Sequence, residues 1–254
     1  MRVPSPETAT LPLLLLPGMA CDAALWRHQW VALAAPGASA VLAPQRPVRV
    51  ADVHHRAPSV PAMAALLLAE QPGPLLLAGC SLGGMVALEA ARQAPDRIRG
   101  LALLGTTARP DTPELITLRT QAIALFAQGR AEALLRVNAL FTFHPRHSAA
   151  LLEDYVAMVL RAGTDSLIRQ NRAVMARADL RPALGAIGCP TLVLGGLADL
   201  LTPPDNAREL AAAIPGAQLH LLADCGHLLT WEQPEAVSAL LVDWLARLGR
   251  AEPY

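Results

Sequence analysis

The chain has 254 residues with 21 basic and 21 acidic side chains, a formal net charge of +0, and an apolar fraction of 53%. All 21 basic residues are arginine. A lysine Schiff base, a lysine general base and a lysine-bearing phosphate loop are therefore excluded, and the balanced, scattered charge offers no footprint for nucleic acid or anionic lipid.

Mean hydropathy is +0.35, but Ala and Leu supply much of it across helical stretches, and no uninterrupted apolar run approaches the ~20 residues that span a bilayer. One compact domain, residues 1–254, in the cytoplasm is the expectation, with no nucleic acid or membrane partner. Short apolar runs separated by helical stretches predict strands over Leu13–Leu16, Ser39–Ala43, Leu75–Ala78, Gly100–Leu104, Thr191–Gly195 and Gln218–Leu222. The pattern is α/β, a doubly wound, mainly parallel sheet. Pro4, Pro6 and Pro12 disfavour a strand ahead of Leu13, so a trimmed sheet is expected. No Gly-rich dinucleotide fingerprint follows the first strand, which leaves cofactor-independent chemistry.

His54-His55 invites a metal reading, but neighbours on an extended or loop segment point apart and no carboxylate-histidine cluster accompanies them; they are expected at the surface. Cys21, Cys80, Cys189 and Cys225 form no Cys-x-x-Cys pair, so no zinc site or redox dithiol is expected.

The run Gly79-Cys80-Ser81-Leu82-Gly83-Gly84 comes directly off Leu75-Leu76-Leu77-Ala78 and continues into a helical pattern. That is the context of a nucleophile elbow, in which a serine is lifted clear of the sheet on a sharp strand-to-helix turn. Gly79 and Gly83 remove the Cβ atoms that such a turn would drive together, and Gly84 lets the helix lie close to the strand. A long segment from about 106 to 187 then reads as helical, with His144 and His147 marking a turn within it. Arg161, Arg169 and Arg172 in this segment are expected on a solvated helix face rather than around a substrate carboxylate.

Beyond it, Thr191-Leu192-Val193-Leu194-Gly195-Gly196 leads into Leu197-Ala198-Asp199, which sets a carboxylate on the loop leaving a strand, and Gln218–Leu222 is followed by Ala223-Asp224-Cys225-Gly226-His227. Asp199 is the expected partner of His227; Asp224 is only three residues away, too close for its carboxylate to reach the far ring nitrogen in the right orientation. The order Ser81, Asp199, His227 is that of α/β-hydrolases and differs from the two other large serine-hydrolase folds.

Over most of its length the chain resembles the α/β-hydrolase superfamily. The resemblance rests on the elbow, on the string from Gly195 through Asp199 and Pro203, and on Ile214-Pro215-Gly216-Ala217, Cys225-Gly226-His227 and Glu232-Gln233-Pro234-Glu235. Leu15-Leu16-Pro17-Gly18-Met19 occupies the place of the family's His-Gly pair, with Pro17 as a departure. The Leu-Pro-Gly-Met-x-Cys-Asp opening followed by Trp26 is similar to small bacterial carboxylesterases and, more loosely, enol-lactonases.

The resemblance implies Ser81 as nucleophile, His227 as base, Asp199 as the triad acid, and the Met19 and Leu82 N–H groups as an oxyanion hole, each donor contributing ~10²–10³ in rate. It further implies that residues 106–187 form a helical cap, that Trp26, Phe141, Phe143 and Leu228 contact substrate, and that no metal or cofactor is needed. A small-molecule ester is the expected substrate. Lactones, thioesters and C–C bonds are open to the same triad, and a cofactor-free lyase or a non-catalytic ligand-binding member is the reading from another class.

Overall fold

The computed structural model describes residues 11–34 and 46–248. Six strands form one parallel sheet: β1 (Leu13–Leu16), β2 (Val48–Val50), β3 (Leu75–Cys80), β4 (Ile98–Leu104), β5 (Thr191–Gly196) and β6 (Gln218–Leu222), in the spatial order β2-β1-β3-β4-β5-β6. The near-continuous apolar runs follow from burial on both faces, because successive side chains of a strand point to opposite sides. Leu13, Leu15, Leu76, Ala78, Ala102, Leu104, Leu192 and Leu194 enter one core layer with Trp244 and Leu245. Leu14, Leu16, Leu75, Leu77, Leu101, Leu103 and Val193 enter the other with Leu67, Val86 and Leu210.

Five of the six expected strands are present, and β3, β4 and β5 run one or two residues beyond their expected bounds. The segment expected as a strand at Ser39–Ala43 lies outside the described residues. Unforeseen was β2: three residues long, at the sheet edge, with Arg49 exposed between Val48 and Val50.

The helices are α1 (Arg27–Ala34), α2 (Val53–Arg56), α3 (Val60–Glu70), α4 (Leu82–Gln93), α5 (Pro113–Ala127), α6 (Ala131–Thr142), α7 (Pro145–Arg161), α8 (Thr164–Met175), α9 (Pro204–Ala213), α10 (Leu229–Glu232) and α11 (Pro234–Leu248). Between β4 and β5 the chain spends four of them. Local chemistry sets their starts: Thr112 Oγ1 accepts from Leu115 N ahead of Pro113 in α5, and His144 Nδ1 accepts from Arg146 N ahead of Pro145 in α7. Phe126, Leu135, Phe143, Val156 and Val159 from this insertion join the first core layer.

The His54-His55 pair corrects the sequence expectation. Both residues lie on the single turn of α2, where backbone curvature brings their rings to 4.0 Å between centroids, and His54 is buried. No helix among the described residues is long and apolar enough to cross a membrane.

From β1 the sheet grows outward through β2 on one side and through β3 to β6 on the other. The crevice between the carboxyl ends of β1 and β3 is therefore the topological switch point, where open α/β sheets receive ligands. Gly18-Met19 leaves β1 there, and Ser81 leaves β3 there.

Candidate active site

Ser81 is the single residue between β3 and α4, with φ 52° and ψ −115°. A positive φ in a side-chain-bearing residue costs of order 1–3 kcal/mol and persists only where neighbours over-determine it. Here Ser81 N donates to Leu104 O at 2.9 Å, while Ser81 O accepts from Gly84 N (2.9 Å), Met85 N (3.1 Å) and Thr106 Oγ1 (2.7 Å). The glycines are required by close approach. A Cβ on Gly83 would overlap the Leu16 carbonyl, and one on Gly84 would sit 2.6 Å from the Thr106 side chain.

The loop after β5 carries Asp199 and the loop after β6 carries His227, both nearly sealed from solvent. His227 Nε2 lies 2.9 Å from Ser81 Oγ, and His227 Nδ1 lies 2.8 Å from Asp199 Oδ2. Asp199 is itself fixed: Oδ1 accepts from Leu201 N (2.9 Å) and Thr202 N (2.8 Å), and Oδ2 accepts from Thr202 Oγ1 (2.8 Å). Because a carboxylate only accepts, Nδ1 carries the proton and the Nε2 lone pair faces the Ser81 hydroxyl. This line of groups has the arrangement of a triad.

Burial alone would lower the pKa of His227, but the charge and hydrogen bond of Asp199 outweigh it and hold it above the usual 6.5. For Asp199 burial pushes upward, while the His227 charge, the His227 bond and the Thr202 bonds pull it below its usual 3.8.

Asp224 turns away from the site. It is half exposed with φ 49°, and its carboxylate binds Arg146 at 2.8 Å. Three positioning groups were not singled out in the sequence. Thr202 is one and Thr106 another; the third is Glu232, whose Oε2 accepts from His144 N (2.8 Å) and Gly226 N (2.9 Å) and whose Oε1 accepts from Leu228 N (3.1 Å). Glu232 thus pins the backbone on both sides of His227, and the His227 N–H donates to Thr142 O at 2.7 Å. Burial pushes the Glu232 carboxyl up, against the pull of those N–H groups. Thr202 and Glu232 both stand inside the motif strings quoted above, which was the available signal.

Met19 follows Gly18 on the turn leaving β1, and Leu82 is the residue after Ser81. Leu82 opens α4, where N–H groups lack intrahelical acceptors, and neither N–H is taken up by a backbone carbonyl of a described residue. A Cβ on Gly18 would stand 3.5 Å from Ser81 Cβ, so the Gly18-Met19 backbone runs directly past the serine.

The expected pocket residues diverge. Trp26 is fully buried, Leu228 is buried beside His227, and Phe143 is buried with its ring edge-on to Tyr155 at 5.4 Å. Phe141 stands 48% exposed. Arg161 pairs with Asp22 at 2.8 Å, and Arg169 donates to His55 O. Cys80 and Cys225 are buried and free, and burial raises both thiols, so neither competes with Ser81 as a nucleophile at neutral pH. Among the described residues no cluster of three or more His, Cys, Asp or Glu side chains is arranged to hold a metal.

A parallel sheet with Ser81, Asp199 and His227 at the carboxyl ends of β3, β5 and β6 defines a class, and comparison with known proteins agrees with it. The alpha/beta hydrolase family model matches residues 13–240, and the chain belongs to this family. A 2-hydroxy-6-oxononadienedioate/2-hydroxy-6-oxononatrienedioate hydrolase of Klebsiella pneumoniae is 31% identical over 181 residues, which is 67% of this chain and 62% of that enzyme, so the match spans under two thirds of the relative's length. A pimeloyl-acyl-carrier-protein methyl ester esterase of Aromatoleum aromaticum is 30% identical over 208 residues, 74% of this chain and 80% of the relative. Among solved structures, a thermophilic esterase from Thermogutta terrifontis superposes with a TM-score of 0.81 at 27% identity, covering 94% of this chain and 90% of that one.

Proposed function

We propose that this protein is a serine hydrolase that cleaves carboxylic esters of small or medium apolar acyl groups through an acyl-enzyme. One observation carries the reading: Ser81, in a strained elbow, lies 2.9 Å from a histidine whose other nitrogen lies 2.8 Å from a buried carboxylate. Ser81 Oγ attacks the ester carbonyl carbon while His227 Nε2 takes its proton, and Asp199 stabilises the imidazolium. The Met19 and Leu82 N–H groups receive the oxyanion. His227 then protonates the leaving alcohol; in the second half it takes a proton from water as the water oxygen attacks the acyl carbon, and returns that proton to Ser81 Oγ as the acyl–oxygen bond breaks. Helices α5 to α8 form the cap that excludes bulk water and bounds the acyl pocket.

Esterase names among the relatives favour ester bonds. C–C hydrolysis is the second reading, favoured by the 31% identical relative named for a 2-hydroxy-6-oxo-dienedioate. The test is hydrolysis of p-nitrophenyl esters from acetate to decanoate by wild type and Ser81→Ala, with mass spectrometry after fluorophosphonate treatment. Wild-type turnover that falls by at least about 10³-fold in Ser81→Ala, with one adduct on Ser81, is the expected result. No adduct and no ester turnover, with cleavage of a vinylogous 1,5-diketone, would move the assignment to the C–C reading.

A further inference from the structure

The turn that carries Met19 is under tension. Cys21 N donates to Gly18 O at 3.1 Å, closing a four-residue turn with Met19 and Ala20 at its centre. Ala20 has φ 54° and Met19 does not have a positive φ, which is the pattern of a type II turn. That third position normally takes Gly or Asn, because a Cβ there is strained. Ala20 is also almost fully buried. A flip of the Met19–Ala20 peptide would relieve it as a type I turn, so something must hold the strained form.

What holds it comes from the cap. Gln170 on α8, fully buried and 150 residues away in sequence, accepts from Ala20 N through Oε1 at 2.7 Å. Its Nε2 donates to Ser166 Oγ at 2.8 Å; Ser166 Oγ lies 3.1 Å from His55 Nδ1; His55 Nε2 lies 3.2 Å from Cys21 O. The donor assignments follow one from another. Cys21 O only accepts, so His55 carries its proton on Nε2, leaving Nδ1 to accept from the Ser166 hydroxyl, which in turn accepts from Gln170. The bonds form a closed ring that starts at Ala20 N–H and returns to Cys21 C=O. His54 Nε2 adds a second donor to Cys21 O at 2.8 Å, and Arg169 donates to His55 O at 2.6 Å.

We propose that Gln170 is a positioning residue for the oxyanion turn, holding the Met19–Ala20 peptide in its strained orientation and thereby coupling the seating of the cap to the aim of the Met19 N–H. In a trans peptide C=O and N–H point opposite ways, so a Gly18 carbonyl directed into the turn sends the Met19 N–H out of it. Gln170 fixes the next peptide along, and with it the path of Met19.

The inference rests on the serine-hydrolase reading, and the experiment separates the two. Wild type, Gln170→Met, Gln170→Glu and Ser166→Ala are compared for kcat and KM on a p-nitrophenyl ester, for inhibition by a trifluoromethyl ketone whose adduct oxygen occupies the oxyanion hole, and for thermal unfolding. Gln170→Met, which keeps length and loses the acceptor, is expected to lower kcat about 10- to 100-fold with KM changed less than about threefold, the scale of a misplaced catalytic donor. Its inhibition constant for the ketone rises by the same factor as kcat/KM falls. Gln170→Glu restores an acceptor for Ala20 N and recovers kcat to within about fivefold of wild type.

Should Gln170→Met not fold, Ser166→Ala opens the same ring elsewhere and is expected to cost kcat about three- to tenfold. Kinetics and ketone inhibition within twofold of wild type, in whichever of these two variants is folded, would overturn the proposal. A wild type without Ser81-dependent turnover would instead overturn the hydrolase reading beneath it.

Discussion

At the scale of single residues, the buried pair of His227 and Asp199 sets activity and stability against each other along the pH axis. The His227 pKa is raised above 6.5 in the folded protein, so its pairing contributes stability fully below pH 6.5, and that contribution is lost as pH climbs through the raised value. Asp199, lowered below 3.8, contributes above that pH and loses its contribution as pH falls through the lowered value. The two statements describe one interaction, strongest between those limits. General-base chemistry needs neutral His227, so kcat/KM must rise over the interval in which the pair's stabilisation fades. The expected acid limb of the pH–rate profile lies above pH 6.5. Asp199→Asn removes the charge that raises His227: the histidine pKa, followed by NMR titration, moves down, while kcat falls by about 10⁴-fold because the imidazole loses its orienting partner. An acid limb at or below pH 6.5 in the wild type would show that burial, not Asp199, governs His227.

At the scale of elements, the elbow is an arrangement of backbones that nearly touch. Gly83→Ala is expected to abolish soluble, cooperatively folding protein, because the added methyl meets the Leu16 main chain, which belongs to the central sheet and has nowhere to move. Gly185→Ala is the control: nothing lies within 4 Å of its added Cβ, its φ is not positive, and a change within about 1 kcal/mol in urea unfolding is expected, in the stabilising direction. This contrast also explains what was legible beforehand. The elbow is written in five consecutive residues, Gly79 to Gly83, directly after an apolar run, so Ser81 is visible in sequence. The strands β1, β3, β4 and β5 are visible because burial on both faces demands apolar runs. Val48-Arg49-Val50 is not visible, since an edge strand of three residues needs neither length nor an apolar run. Gln170 is likewise invisible: its partner is a backbone N–H 150 residues away, and no periodicity encodes which buried amide meets which peptide. His54-His55 was misplaced at the surface because the single turn of α2 is too short to register as a helix.

At the scale of the whole molecule, the β4–β5 insertion is held by two kinds of contact, one closing its two ends on each other at the neck and one joining it to the sheet domain. The neck is stitched from both ends of the insertion: Leu180 N donates to Ala108 O (2.9 Å), Arg177 Nε donates to Arg109 O (2.9 Å), and Asp111, with a fully buried side chain, faces Arg119 Nε and Arg177 Nη1 at 2.7 Å each. Arg177 Nη1 also donates to Val174 O at 2.8 Å, so backbone carbonyls orient the guanidinium and Asp111 supplies the opposite charge. Further out, Arg161–Asp22 and Arg27–Asp154 join α7 to the β1–α1 segment, with all four side chains at least 38% exposed. Surface pairs of this kind contribute ~0–1 kcal/mol, whereas removing one member of a buried pair leaves an uncompensated charge at a cost of ~3–5 kcal/mol. Asp111→Asn is therefore expected to lower the urea-unfolding free energy by about 3–5 kcal/mol, and Arg161→Ala by no more than about 1. The two also differ in salt response. Near 1 M salt the screening length shrinks to ~3 Å, so the small Arg161→Ala effect vanishes while the Asp111→Asn effect persists. Equal losses in the two variants, or an Asp111→Asn loss that salt removes, would place the hold on the insertion at its rim rather than its neck.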